Sequence, residues 1–169
     1  MKLLLTSAGL TNESIANALK GILDKEIDDI KIGFVPTAAN AEPGNKDWYV
    51  RQMTDLYDHG FSYVDVVDIS AADVDWKIRL ADCDVILISG GNTFHLLNQI
   101  RKTGFADWFK ENLDSKVFVG ISAGSIIMTP SIAIASVDDG DENLIGLKDL
   151  TGMRLVDFEV SVHTPESVS

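Results

Sequence analysis

The chain has 169 residues, 46% of them hydrophobic, and a formal net charge of −12 at pH 7. That length suits one domain spanning 1–169 around one core, and the acidic balance argues against nucleic acid or an anionic membrane as partner, since both demand positive surface. The single cysteine, Cys83, excludes an intramolecular disulfide and fits a reducing compartment, and no stretch reaches the roughly 18 apolar residues of a membrane span, so a cytoplasmic protein is expected.

The opening Met1-Lys2-Leu3-Leu4-Leu5-Thr6-Ser7 has an apolar run too short for a signal peptide, which leaves a first strand over 2–7. Ile15, Ala18, Leu19, Ile22 and Leu23 then follow the i, i+3, i+4, i+7, i+8 rule of an amphipathic helix, with Thr11 or Asn12 available as N-cap. A second strand is predicted over 30–36. Tyr49, Met53, Leu56 and Tyr57 repeat the helical spacing before Gly60, a plausible C′ residue. Strands follow at 62–69, 84–89 and 116–120. The runs at 84–88 and 117–119 are apolar on both faces, as in central strands covered on both sides. Between them, Thr93, Leu96, Leu97 and Ile100, and then Phe105, Trp108 and Phe109, mark two more helices. Strands alternating with helices imply βαβ units, right-handed crossovers and a mostly parallel sheet: a doubly wound α/β layout. After Met128 the pattern changes to a short strand at 131–135, an acidic loop at 136–143 and short extended pieces at 155–156 and 158–162.

The stretch richest in chemistry is Gly120-Ile121-Ser122-Ala123-Gly124. A G-x-S-x-G pentapeptide between a strand and a helix is the sequence form of a nucleophile elbow, with the serine pushed out at the apex and the glycines removing Cβ atoms that would collide. A serine hydroxyl needs a base to take its proton, usually a histidine oriented by a carboxylate. His59, at a helix end beside Gly60, is read as structural. His95, one turn into the helix after Gly91, is read as structural or substrate-side. His163, ending an apolar stretch downstream of the serine, is well placed for a base. Asp138, Asp139, Asp141 and Glu142 in the acidic loop are candidates for the orienting carboxylate, of which only one can serve. An oxyanion hole needs two N–H donors: Ala123 can give one, and Ser89-Gly90-Gly91-Asn92 either gives the other or is a plain strand-to-helix turn. A helix N-terminus also binds anions, but the chain has no G-x-x-x-x-G-K-[ST] and no G-x-G-x-x-G before its first helix. No histidine or cysteine cluster supports a metal.

Several segments resemble one family. Ser89-Gly90-Gly91-Asn92-Thr93-Phe94-His95-Leu96-Leu97 resembles the G-G-N-T-F segment of aspartyl dipeptidase (dipeptidase E), and Gly120-Ile121-Ser122-Ala123-Gly124-Ser125 its elbow. Phe34-Val35-Pro36-Thr37-Ala38 is similar to its second strand and following loop, and Val162-His163 to the strand end bearing its histidine. The family includes cyanophycinase, and its three-layer fold is similar to class I glutamine amidotransferases, which are flavodoxin-like. The resemblance implies a serine exopeptidase that needs no cofactor and releases an N-terminal aspartate from small peptides through an acyl-enzyme. It further implies Ser122 as nucleophile, His163 as general base, the backbone of Gly91 and Ala123 as oxyanion hole, and Asp138, with Asp139 next to it, as third triad member. A basic group should face the substrate carboxylate, and Lys46, Arg51, Arg79 and Arg101 are available.

The chain departs from the family by ending soon after His163, where members usually run several dozen residues further. This motivates an alternative expectation, a catalytically impaired peptide-binding domain of the same fold. An α/β-hydrolase-type esterase would need a longer set of late strands, and a glutamine amidotransferase would need cysteine where Ser122 stands.

Overall fold

A computed structural model describes residues 1–137 and 140–164. Five strands, β1 (Lys2–Thr6), β2 (Lys31–Val35), β3 (Tyr63–Val66), β4 (Val85–Ile88) and β5 (Val117–Ile121), form one parallel sheet in the order β1-β5-β4-β2-β3. The helices are α1 (Glu13–Gly21), α2 (Thr37–Asn40), α3 (Asp47–Asp58), α4 (Trp76–Ala81), α5 (Thr93–Thr103), α6 (Phe105–Glu111) and α7 (Ala123–Ile126).

The direction of winding reverses at β3, so right-handed crossovers place earlier and later helices on opposite faces. The core records this. Val85, Leu87, Val117 and Val119 pack with Leu19 of α1 and Leu56 of α3 on one face. Ile86, Ile88 and Phe118 point the other way, towards Leu80, Phe94, Ile100, Phe105 and Phe109 of α4, α5 and α6. This is the period-2 alternation of strands buried on both sides, in a three-layer α/β sandwich. Gly33 in β2 lets α4 approach closely: a Cβ there would lie 2.6 Å from Leu80 Cδ2. Asn12 caps α1 by accepting from Ile15 N–H, and Gly104, with φ of 76°, ends α5 in the left-handed conformation and turns the chain into α6.

One expectation for the later chain is corrected. Residues 131–135 form no strand: Ser131 makes a lone antiparallel bridge to Thr151, and Ala133–Ser136 is a 3₁₀ turn. The pieces at 155–156 and 158–162 belong to no sheet. Leu155 N–H instead bonds the Met128 carbonyl at 2.9 Å, so this part of the chain ties itself to the residues after the elbow. Alternating apolar residues there cover the core edge without a strand partner, and hydropathy alone does not separate the two cases. Among the described residues, no helix is long and apolar enough to cross a membrane.

Candidate active site

In a parallel sheet all carboxyl ends lie on one side, where α/β proteins bind ligands. Here the ends of β1, β4 and β5 contribute Ser7, Gly90-Gly91 and Ser122 to one cleft of about 1130 Å³. The elbow follows directly from its sequence. The fully buried β5 stops at Ile121, Ser122 adopts φ of 49°, and α7 begins at the next residue. A positive φ is costly for a residue with a side chain and persists only where the surroundings enforce it. They do so here: Ser122 N–H bonds the Thr6 carbonyl at 2.9 Å. A Cβ on Gly120 would lie 2.5 Å from the Gly124 carbonyl oxygen, and one on Gly124 would lie 2.2 Å from that of Ile88. The turn closes only because both positions lack a side chain.

The end of β1 is sewn to this turn. Thr6 Oγ1 donates to the Gly120 carbonyl at 2.9 Å, while Ser125 Oγ accepts from Thr6 N–H at 3.0 Å and donates to the Thr6 carbonyl at 2.8 Å. The register pairs Thr6 with Ile121, so the next residues, Ser7 and Ser122, stand side by side at the sheet end.

His163 joins them. Its Nε2 lies 3.0 Å from Ser122 Oγ. Its other ring nitrogen, Nδ1, lies 3.3 Å from Ser7 Oγ, and the same oxygen accepts the His163 backbone N–H at 2.9 Å. Ser7 therefore holds His163 by both its main chain and its ring, with the backbone at φ of 55°. If Nε2 is to receive the Ser122 proton, Nδ1 must carry the ring hydrogen and donate it to Ser7. A hydroxyl oxygen has lone pairs for both bonds.

Gly91 has φ of 134°, and a Cβ there would lie 2.3 Å from the Ala38 carbonyl carbon. Glycine is thus required both by conformation and by the approach of α2. Gly90 N–H donates to Gln52 Oε1 at 3.2 Å, and Asn92 N–H to the Ala38 carbonyl at 3.0 Å. Among the described residues, the intervening Gly91 N–H and the Ala123 N–H meet no protein acceptor.

Of the acidic candidates, Asp138 and Asp139 lie outside the described residues. Asp141 is committed elsewhere: its Oδ2 accepts Thr93 N–H at 2.7 Å, at the start of α5. The Glu142 carbonyl accepts from Asn92 Nδ2 at 2.9 Å, so the acidic loop docks on the Gly-Gly-Asn turn. Among the basic candidates, Arg79 is bonded to Asp65, Arg101 to the carbonyls of Asp149 and Thr151, and Lys46 to those of Ala39 and Glu42. Arg51 lines the cleft. The other two histidines stand apart from its lining. His59 bonds the Leu10 carbonyl through Nε2 at 2.9 Å. His95 is half-buried on α5, where burial lowers its pKa against the opposing pull of Asp68. Among the described residues, no group of three or more His, Cys, Asp or Glu side chains is arranged to hold a metal.

Sequence reading missed Ser7 and Gln52. Ser7 was detectable only once β1 and β5 were known to be neighbours, since the register then sets it beside Ser122. Gln52 carried one signal, a polar residue at a buried position of α3.

Comparison with known proteins places the chain in a family. The model of peptidase family S51 matches residues 3–167, and the chain belongs to that family. An uncharacterized peptidase of Pasteurella multocida (strain Pm70) is 32% identical over 139 residues, covering 81% of this chain and 66% of that protein. A peptidase E of Shewanella sp. (strain MR-4) is 34% identical over 90 residues, covering 53% of this chain and 36% of its own length. A crystal structure from Listeria monocytogenes EGD-e, provisionally called a peptidase E, superposes with a TM-score of 0.80 at 27% identity, covering 94% of this chain and 77% of that one. The match spans less than two thirds of the length of these curated relatives.

Proposed function

We propose that this member of family S51 is a serine exopeptidase that hydrolyses small peptides through an acyl-enzyme on Ser122. The observation that carries the reading is the 3.0 Å contact between Ser122 Oγ and His163 Nε2 at a strained strand-to-helix turn. A nucleophile within hydrogen-bond reach of a base that is itself oriented by a third group is the signature of covalent acyl transfer.

The chemistry runs in two halves. Ser122 Oγ attacks the scissile carbonyl carbon while His163 Nε2 takes its proton. The carbonyl oxygen gains charge facing the N–H groups of Gly91 and Ala123, which act as the oxyanion hole. The C–N bond then breaks, with the imidazolium returning the proton to the leaving amine. Water, deprotonated by the same ring, hydrolyses the ester and restores the serine. Ser7 serves throughout as the acceptor of the Nδ1 hydrogen, which leaves the lone pair of the neutral ring on Nε2. The part assigned by resemblance to Asp138 is thus open to a neutral hydroxyl.

A preference for an N-terminal aspartate accompanies this reading. It draws support from the family resemblance and from Arg51, which lines the cleft and whose guanidinium can pair with a carboxylate. The test is labelling with a fluorophosphonate probe and peptide mapping, alongside hydrolysis of aspartyl dipeptides. Label on Ser122 and loss of hydrolysis in Ser122→Ala are expected. Hydrolysis that survives Ser122→Ala would refute the mechanism.

A further inference from the structure

Gln52 occupies an odd position. It lies on the inward face of α3, where Tyr49, Met53 and Leu56 pack into the core, and is only 7% exposed. A buried carboxamide is costly unless its polar atoms are used. Half of this one is used: Oε1 accepts Gly90 N–H at 3.2 Å. That bond fixes the orientation of the amide, because the Gly90 N–H needs an acceptor and only the oxygen provides one. The Nε2 end, with two hydrogens to donate, meets no acceptor among the described residues, and the side chain lines the cleft.

The place it faces is defined by the glycine it holds. A Cβ on Gly90 would stand 3.0 Å from Gln52 Nε2 and 3.4 Å from Ser122 Cβ. Gly90 thus sits between the two, with the Gln52 donor on one side and the proposed nucleophile on the other. The side chain of the residue bearing the scissile carbonyl begins two bonds from the acylated carbon, so it is the group that comes within reach of this donor.

We infer that Gln52 is a specificity-determining residue, whose carboxamide donates a hydrogen bond to an acceptor oxygen on the side chain of the substrate residue bearing the scissile carbonyl. The inference rests on the peptidase reading above. The donor is neutral, so it accommodates both a carboxylate and a carboxamide oxygen, and it has nothing to offer an ammonium or guanidinium. An apolar side chain would strip water from the amide without replacing the bond, which is how polar pockets reject apolar analogues. Arg51, the preceding residue on the same helix, lines the same cleft and biases the choice towards the carboxylate.

The experiment measures binding in a Ser122→Ala background, where no turnover intervenes. Asp-Leu, Asn-Leu and Leu-Leu are titrated calorimetrically against it, with and without Gln52→Glu. That substitution keeps an oxygen for Gly90 N–H but replaces the donor with a second oxygen. Asp-Leu and Asn-Leu should outbind Leu-Leu, and Gln52→Glu should cut the Asp-Leu to Leu-Leu ratio by about 10- to 100-fold. The Asn-Leu to Leu-Leu ratio should fall less. Gln52→Met, similar in shape but with neither donor nor acceptor, should lower both ratios and serves if Gln52→Glu fails to melt cooperatively. Ratios unchanged in the folded variant, or no preference over Leu-Leu at the outset, would overturn the inference. If the Ser122→Ala protein shows the ratios and their dependence on Gln52 while the wild-type chain hydrolyses none of the peptides, the peptidase reading falls and Gln52 remains only a residue that recognises a peptide side chain.

Discussion

Replacing Ser7 by alanine is the sharpest test of the proposed triad. The substitution removes the oxygen that accepts the His163 backbone N–H at 2.9 Å and lies 3.3 Å from Nδ1. In the resting state the ring contact joins neutral groups and is worth about 1 kcal/mol. As Ser122 attacks, the ring takes a second hydrogen and becomes charged, so the same contact strengthens to about 1.5–3 kcal/mol. The difference, about 0.5–2 kcal/mol, is what the transition state alone loses, so kcat/KM should fall about 2- to 30-fold. That is well short of the roughly 10⁴-fold loss in kcat that follows when a triad aspartate is replaced by asparagine. The assay is the pH profile of kcat/KM on an aminoacyl anilide, with Ser7→Thr and Ser7→Asp alongside. Threonine keeps the hydroxyl and should restore most of the rate. Aspartate sets a negative charge beside Nδ1 and favours the protonated ring, so the acid limb of the profile should move to higher pH. A Ser7→Ala enzyme with wild-type rates across the profile, combined with collapse in Asp138→Asn, would refute the reasoning.

Two further outcomes concern the frame of the site. Gly124→Ala would drive a Cβ to 2.2 Å from the Ile88 carbonyl oxygen; the cost should be about 3 kcal/mol, seen as a fall of roughly 6–12 °C in Tm for a chain of this size. An unchanged Tm would contradict the packing described at the elbow. For Asp84, burial pushes the carboxyl pKa up, but the bonds from Lys25 Nζ at 2.6 Å and Lys31 N–H at 2.9 Å outweigh it and leave the value lowered. A lowered pKa stabilises the fold above the ordinary carboxylate range, near pH 4, and the benefit disappears as pH falls below it. Asp84→Asn should thus be less stable by about 1 kcal/mol in denaturant melts at pH 7, with the gap closing towards pH 3. An equal gap at both pH values would show that charge is not the cause.

The centre of the sheet was legible because its strands are chemically uniform. Val85–Ile88 and Val117–Ile121 are buried throughout, and an unbroken apolar run has few other homes in a chain of alternating elements. The elbow was legible because its two glycines are demanded by backbone contacts at 2.5 and 2.2 Å, which no other residue tolerates. What escaped was whatever depends on partners far apart in sequence. Asp141 looked like any other loop carboxylate until Thr93 N–H claimed it. Ser7 looked like a residue that merely ends a strand. The segment at 131–135 alternates as a strand does, yet among the described residues it pairs only through the Ser131–Thr151 bridge. Local pattern reports what a segment can become, and strand order decides which of those options is used.

The pairing of β1 with β5 also bears on when the site comes into being during synthesis. Lys2 pairs with Val117, and Ser7 meets His163 across 156 positions of sequence. Loops of that span close late, after the local helices have formed. A ribosome making this chain from the N-terminus therefore releases Ser7 first, Ser122 much later and His163 last. While the polypeptide is still attached and partly unfolded, the serine has neither its strained turn nor its base. The peptidase proposed here would be unarmed until His163 has been made and has docked against Ser7.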